Sequence, residues 1–477
     1  MTGQFWLPLQ NPHIEIQLSS MFIQQITEVL SSIGGFTCLV YISSWMHRAF
    51  LRLRGRGLAQ SIQTVYQGAR KWVWGMTLRL PKARKEVDAQ VAESLDKLAA
   101  KLVPEHTGLQ RYTTIPKLSG MEHVRWEDGR VSGAVYHGRD EMAELQTRAY
   151  HAFAVANPIH PDVFPGIRKM EAEVVSMVLR MFHAPVHGAG TCMSGGTESI
   201  LAACLSAREK GSAERGIRNP EMILPSTAHP AFRKAGYYFG IKIHEVECPA
   251  PTYQVNTRAV SIAMCNRTLL HVDCCVGSFM AAMLQKAGFD AVPFDFQLPG
   301  VTSSSYSVVL YRTSVYVSQG MLGSRAGALI AGCWATMMGQ GEAGYLDACR
   351  EMVGCPRRFE TALRSAPLSN DLQAVGKPFS TVVAFTSTTL NLWKLADKLI
   401  SRGWHLNALQ DPPAIHVAFT RPVVKAEAQL LKDLKEPGSE KGTPGGSLAL
   451  YGVAGSLPNE GVLVQLGKGY LDTLYRA

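Results

Sequence analysis

From Glu105 to about Ala366 the chain alternates helical apolar patterns with short apolar runs, among them "EMILPS", "IKIHEVE" and "HVDCC". Alternation of this kind predicts a mostly parallel sheet covered by helices, an α/β body over residues 105–366. The style then changes. "STVVAFTS" reads as a strand, "NLWKLADKLISRG" as a helix closing on Gly403, and "WHLNAL" and "AIHVAFT" as two more strands. These predict a smaller α+β domain over 367–477, with Lys435 to Gly446, "KEPGSEKGTPGG", as a loop. At 477 residues, 46% hydrophobic and 18% charged, the chain has the apolar surface for more than one core.

Upstream of that body, Val29 to Met46, "VLSSIGGFTCLVYISSWM", carries no charge and is just long enough to span a bilayer. It follows an N-terminal tail, residues 1–28. The formal net charge of +10 is uneven, and His47 to Lys85 holds ten Arg and Lys residues with no acid among them. A basic run suits nucleic acid, a membrane surface or a solvated helix face. Next to an uncharged span it favours the membrane over nucleic acid, with the bulk of the chain on the cytosolic side. The other reading of 29–46 is a buried or interfacial helix. Residues 47–104 form a basic juxtamembrane stretch and a linker, ending in an amphipathic helix over Glu86 to Leu102. The ten cysteines fit a reducing compartment; no CxxC spacing points to a metal.

The sharpest motif is "GTCMSGGTESILAACLSAREK", Gly190 to Lys210. Ser194, Gly195, Gly196 and Thr197 make a small-residue turn opening into a long helix. That is either a plain N-cap or a cradle whose free N–H groups and hydroxyls hold a phosphate at the positive helix end. His229 in "STAHPAFRKAGYYFG" and Asp273 at the end of "LLHVD" change the weighing. A strand-end aspartate points into the crevice where open α/β sheets bind ligands. A phosphate loop, a flat imidazole and a strand-end carboxylate are what pyridoxal phosphate needs for its phosphate, its ring face and its protonated pyridine nitrogen.

"GRVSGAVYHG" (129–138), "NPIHPDVFPGIRKMEAEVV" (157–175), "SGGTES", "STAHPAF", "HVDCCVGSF", "FDFQLPGVTS" and "GSRAGALIAGCWATMM" (323–338) together resemble the sphingosine-1-phosphate lyases, relatives of the group II decarboxylases. The resemblance implies the type I aminotransferase-like pyridoxal-phosphate fold, a homodimer, and an endoplasmic reticulum membrane anchor with the catalytic part facing the cytosol. It also implies cleavage of a phosphorylated long-chain base to a long-chain aldehyde and phosphoethanolamine. Ser194, Gly195, Gly196 and Thr197 would hold the cofactor phosphate, His229 would stack on its ring and Asp273 would pair with its pyridine nitrogen. Tyr136 and His160 would act at the reacting substrate and Asn157 would contact it; buried packing is the other reading for Tyr136 and His160.

The pattern departs from the family where its chemistry needs it most. The family's strand after "GVTS" leads into a block carrying the lysine that tethers the cofactor; here "GVTSS" passes almost directly to "SYSVVLY", and Lys286 is the only lysine between Lys242 and Lys377. "NRTLLHVDCC" likewise joins what the family has as two separate strands, and "SVYVSQGMLGSRAG" is short of a segment before it. Loss of a strand and helix between neighbouring strands leaves unpaired edges and exposed apolar faces. Three functions compete: the lyase, an amino-acid decarboxylase of the same superfamily, and a non-catalytic pseudoenzyme or truncated isoform. The uncharged span and the basic run predict that the full chain stays with membranes in alkaline carbonate, whereas a chain starting at Glu105 does not. Release of the full chain into the supernatant would overturn the anchor.

Overall fold

The protein is described by a computed structural model, which covers residues 80–102, 125–258, 268–274, 277–305, 308–311, 321–410 and 412–436, together with positions 66, 69, 72, 73, 76 and 260. The expected span 29–46 lies outside these residues, and so does the expected loop Lys435 to Gly446 beyond residue 436; Lys435 itself is the last residue of a helix. Among the described residues, no helix is long and apolar enough to cross a membrane. The chain divides at Ala89 into two units, and both of the bodies described below lie within the second, Gln90–Ala477. The predicted amphipathic helix is α1 (Pro81–Leu102), one turn longer at its start because Pro81 suits a first helical position.

The larger body is built on a mixed four-stranded sheet in the order β1 (Ala189–Cys192), β6 (Val308–Tyr311), β5 (Val301–Ser305), β4 (Leu270–Asp273). A separate parallel pair, β2 (Glu221–Pro225) with β3 (Lys242–Val246), is joined by α5 (Pro230–Phe239). As expected of a mostly parallel sheet, β1, β5 and β4 run in one direction, and among the described strands of this sheet β6 alone is reversed. β4 and β5 are parallel, but β6 runs antiparallel to both β5 and β1. The reason is the link between β5 and β6: residues 306 and 307 are too few for a crossover and allow only a hairpin.

Helices follow their apolar stripes. α3 (Pro165–Met181) starts with proline in its first turn and buries Ile167, Glu171, Val174 and Val178, one face at helical spacing that includes a carboxylate. α4 (Gly196–Arg215) buries every residue from Ser199 to Cys204, lies against β5 and β6, and ends at Gly216 in the left-handed conformation, φ 64°. α7 (Gly327–Leu363) packs on α2 (Asp140–Ala152) and α3 and is broken at Gly341, where φ is 53°. A short helix, α6 (Ser278–Met283), follows β4.

The smaller body is an antiparallel sheet in the order β7 (Gln373–Ala374), β8 (Val382–Thr386), β10 (Pro413–Ala418), β9 (Asn407–Gln410), with α8 (Leu392–Ser401), α9 (Arg421–Lys425) and α10 (Glu427–Lys435). Asn391 caps α8 by accepting from the amides of Trp393 and Lys394. The core centres on Trp404, Phe385 and Phe419, and it includes Cys355, Phe359 and Leu363 from the last turns of α7.

The polar strand "VTSSS" sits in the interior because each hydroxyl finds a partner. Thr302 Oγ1 donates to the Leu270 carbonyl at 2.9 Å and Ser304 Oγ to the Val272 carbonyl at 2.7 Å. On the opposite face Ser303 and Ser305 meet the two ring nitrogens of His271 at 2.9 and 2.6 Å. A neutral imidazole offers one donor and one acceptor, which two hydroxyls can match. Burial accordingly pushes the His271 pKa down to about 4. In the unfolded chain it titrates near ~6.5, so between these values the unfolded state holds the extra proton and stability rises with pH, by about 3 kcal/mol over the whole interval. The substitution His271→Gln should flatten this part of the profile. Urea midpoints measured from pH 4 to 7 check it, and an unchanged slope would exclude His271 as its source.

Candidate functional site

Strand register gathers the sequence motifs at one end of the four-stranded sheet. Cys192, the last residue of β1, is opposite Val308; Ser305, the last of β5, is opposite Val309; and Asp273, the last of β4, is opposite Ser305. The Ser194–Thr197 turn, the end of β5 and the strand-end acid therefore share one end of the sheet, over a width of ~14 Å for three strand spacings. Asp273 is exposed there.

The turn opens α4 as expected. The first intrahelical bond runs from the Ser199 amide to the Gly195 carbonyl, so the amides of Gly196, Thr197 and Glu198 precede the ladder. Gly195 is fully extended, and a Cβ added to it would meet nothing within 4 Å, which leaves the loop backbone open to a ligand. The Ser194 amide donates to Glu198 Oε2 at 2.6 Å, a carboxylate favoured at that helix end. His229 caps α5, its Nδ1 accepting from the Ala231 amide at 3.2 Å, and its ring is exposed. One turn on, Phe232 packs edge-on against His271, with ring centroids 6.0 Å apart, which ties the helix that starts at His229 to the strand that ends at Asp273.

Asn157 joins the same end through a feature that motif reading passed over. Its Oδ1 accepts from the amides of Ile159 and Arg325, both at 3.3 Å, and its Nδ2 donates to Ser324 Oγ at 3.1 Å. The Arg325 guanidinium forks onto Glu171 at 2.6 and 2.9 Å and also donates to the Cys192 carbonyl at 3.1 Å. Both side chains are nearly enclosed, 9% and 12% exposed, so removing either would strand a charge at a cost of about 3–5 kcal/mol. The signal was present in the sequence: Glu171 stands on the apolar stripe of α3, where an unpaired carboxylate would not be tolerated. Burial, with Glu171 beside it, pushes the Cys192 thiol up to about 12 and leaves it unreactive.

His160 and Tyr136 are held differently. His160 is exposed, and its carbonyl accepts from the amides of Val163 and Phe164. Tyr136 is 57% exposed, and its carbonyl accepts from the amide of Arg421, so its backbone is fastened to the smaller body. Arg421 itself lies against His137, Glu351 and the Gly344 carbonyl. Burial, with the Arg421 guanidinium beside it, holds the His137 ring below the usual histidine range.

These groups fit a phosphate, a ring and a pyridine nitrogen, but they do not fit a covalently tethered cofactor. β4, β5, β6 and the linking Tyr306 and Ser307 contain no lysine. Lys286 is exposed and pairs with Glu342.

No family model matches the chain. It is 36% identical to a Saccharomyces cerevisiae sphingosine-1-phosphate lyase over 572 positions that take in 100% of this chain and 97% of that one. Since those positions outnumber the 477 residues here, the alignment opens gaps in this chain. A Drosophila melanogaster sphingosine-1-phosphate lyase is 32% identical, with 93% and 98% of the two chains covered. Among solved structures, a Burkholderia pseudomallei sphingosine-1-phosphate lyase superposes with a TM-score of 0.60 at 30% identity, covering 70% of this chain and 94% of that one. A Lactobacillus brevis glutamate decarboxylase shares the fold with a TM-score of 0.57 at 14% identity, over 71% and 97% of the two chains. Similarity at this level along the whole chain places it in the sphingosine-1-phosphate lyase family.

Proposed function

We propose that the chain is a pyridoxal-phosphate protein of long-chain base phosphate breakdown that holds its cofactor without a covalent tether. The observation that carries this reading is the convergence of the Ser194–Thr197 turn, the end of β5 and Asp273 at one sheet end. In it, the loop amides and the Thr197 hydroxyl bind the phosphate at the positive end of α4. The His229 imidazole lies on the ring, and the Asp273 carboxylate holds a proton on the pyridine nitrogen. Bound pyridoxal phosphate supplies the electron sink for breaking the bond between the amine-bearing and hydroxyl-bearing carbons. Asn157, His160 and Tyr136 serve the phosphorylated long-chain substrate. Without a lysine to exchange the substrate amine, the family reaction runs in this chain at a small fraction of its usual rate.

The same reading includes a membrane anchor at residues 29–46, an endoplasmic reticulum location with the body in the cytosol, and a homodimer. An active site held near a bilayer suits an amphiphilic substrate. The dimer is supported by exposed apolar side chains along α2, α7 and the segment between α2 and α3: Tyr150, Val155, Ile159, Val163, Leu329 and Met338.

The test is borohydride reduction of the full chain with pyridoxal phosphate, followed by peptide mass spectrometry, with equilibrium dialysis in parallel. Saturable binding is expected, weakened about tenfold or more by Asp273→Ala, with no lysine carrying the cofactor after reduction. A cofactor adduct on any lysine would overturn the untethered site, and absence of saturable binding would overturn the cofactor assignment.

A further inference from the structure

The segment that carries Tyr136 is sewn onto the smaller body at both ends. At its start the Ser132 amide donates to the His405 carbonyl at 2.9 Å, and Ser132 Oγ accepts from the Ala418 amide at 2.9 Å. At its end the Arg421 amide donates to the Tyr136 carbonyl at 3.2 Å. Gly138 then turns the chain at φ 64°, so close to its neighbours that a Cβ there would lie 2.6 Å from the Trp126 ring and 2.9 Å from the Pro422 ring. Tyr136 itself is exposed, so its place is set by this backbone more than by packing of its ring. The Arg421 guanidinium completes the fastening. Its Nη2 donates to the Gly344 carbonyl at 3.4 Å, its Nε stands 3.3 Å from Glu351 Oε2, and its Nη1 is 3.2 Å from His137 Nε2. Arg421 is 5% exposed, whereas its acid partner Glu351 is 42% exposed and is shared with Arg139 at 3.6 Å. A guanidinium has donors only, so the contact with His137 requires a bare Nε2, which a neutral ring offers and a protonated one does not. Protonation would set N–H against N–H and add a second positive charge beside one that is already enclosed.

We propose that Arg421 is a positioning residue for Tyr136, holding the segment in place only while the His137 ring is neutral and accepts from the guanidinium; the role rests on the reading of Tyr136 as a residue that serves the substrate. The groups around the ring set the direction. Burial, then Arg421 of α9 and Arg139 just before α2, disfavour a proton on His137, and Gln340 of α7 and Glu141 of α2 oppose them with less effect. Around Arg421 stand Glu351 and Asp347 of α7 and again Arg139. The ring therefore takes up a proton more readily when the segment is released than when it is held. By linkage the hold is complete above the ordinary histidine value of ~6.5 and weakens as pH falls below it.

Hydrogen exchange on the full chain, corrected for the intrinsic pH dependence of exchange, tests this without any ligand. The Arg421 amide reports its bond to the Tyr136 carbonyl, and the Phe419 amide, which donates to the Thr381 carbonyl at 2.8 Å, reports the fold around it. From about pH 7.5 to about pH 5.5, on either side of the histidine value, protection of the Arg421 amide relative to Phe419 should fall about fivefold or more. His137→Gln keeps an acceptor that does not titrate and should hold the ratio constant. Arg421→Met should lose protection at position 421 by a similar factor already at neutral pH. A pH-independent ratio in the unaltered chain, an equal fall in His137→Gln, or full protection at position 421 in Arg421→Met would each overturn the proposal. If Arg421→Met also loses protection at Phe419, and so does not fold, the comparison of the unaltered chain with His137→Gln decides. Because no ligand is present, these results stand whether or not the chain binds pyridoxal phosphate or a long-chain base phosphate.

Discussion

The ladder of hydrogen bonds from β1 through β6 and β5 to β4 is the constraint on which the site depends. A strand's register cannot slip by one residue without turning its side chains to the other face. With Cys192, Ser305 and Asp273 fixed at one end by that register, the phosphate-type turn and the acid have a set separation before any ligand arrives. The Arg325–Glu171 fork then ties the β1 end to the loop carrying Asn157. A buried charge pair holds position because moving either partner exposes the other to an apolar surround.

Much of this was legible in the sequence, for physical reasons. Strands such as β2, β3, β8 and β10 are short apolar runs bounded by turn residues, and α4 and α8 begin at small or amide residues with strong capping preferences. The reversal of β6 was not legible, because pairing direction depends on how many residues join two strands. The short link between Ser305 and Val308 makes a hairpin where alternating helices and strands had suggested a crossover. Nor could periodicity reveal Arg325 or His271. Arg325 acts through a partner more than a hundred residues away, and His271 is kept neutral by serines on a neighbouring strand. Glu171 was the exception that composition could have exposed, a carboxylate in register with valines and an isoleucine.

The same hairpin explains how a recognisable site can lack its central group. Antiparallel strands can be joined by almost any number of residues, so β5 and β6 keep their pairing whether the link is long or short. A block removed there leaves the sheet end intact and takes away only what the block carried.

The short link between β5 and β6 gives the account its most direct measurement. The family's lysine-bearing block, inserted between Ser305 and Val308, is compared with the unaltered chain and with the same block carrying alanine in place of its lysine. Aldehyde release from a long-chain base phosphate is followed in all three. Turnover should appear with the lysine-bearing block and stay near background in the other two. Equal turnover in all three would contradict the claim that the sheet end is a lyase site lacking only its lysine.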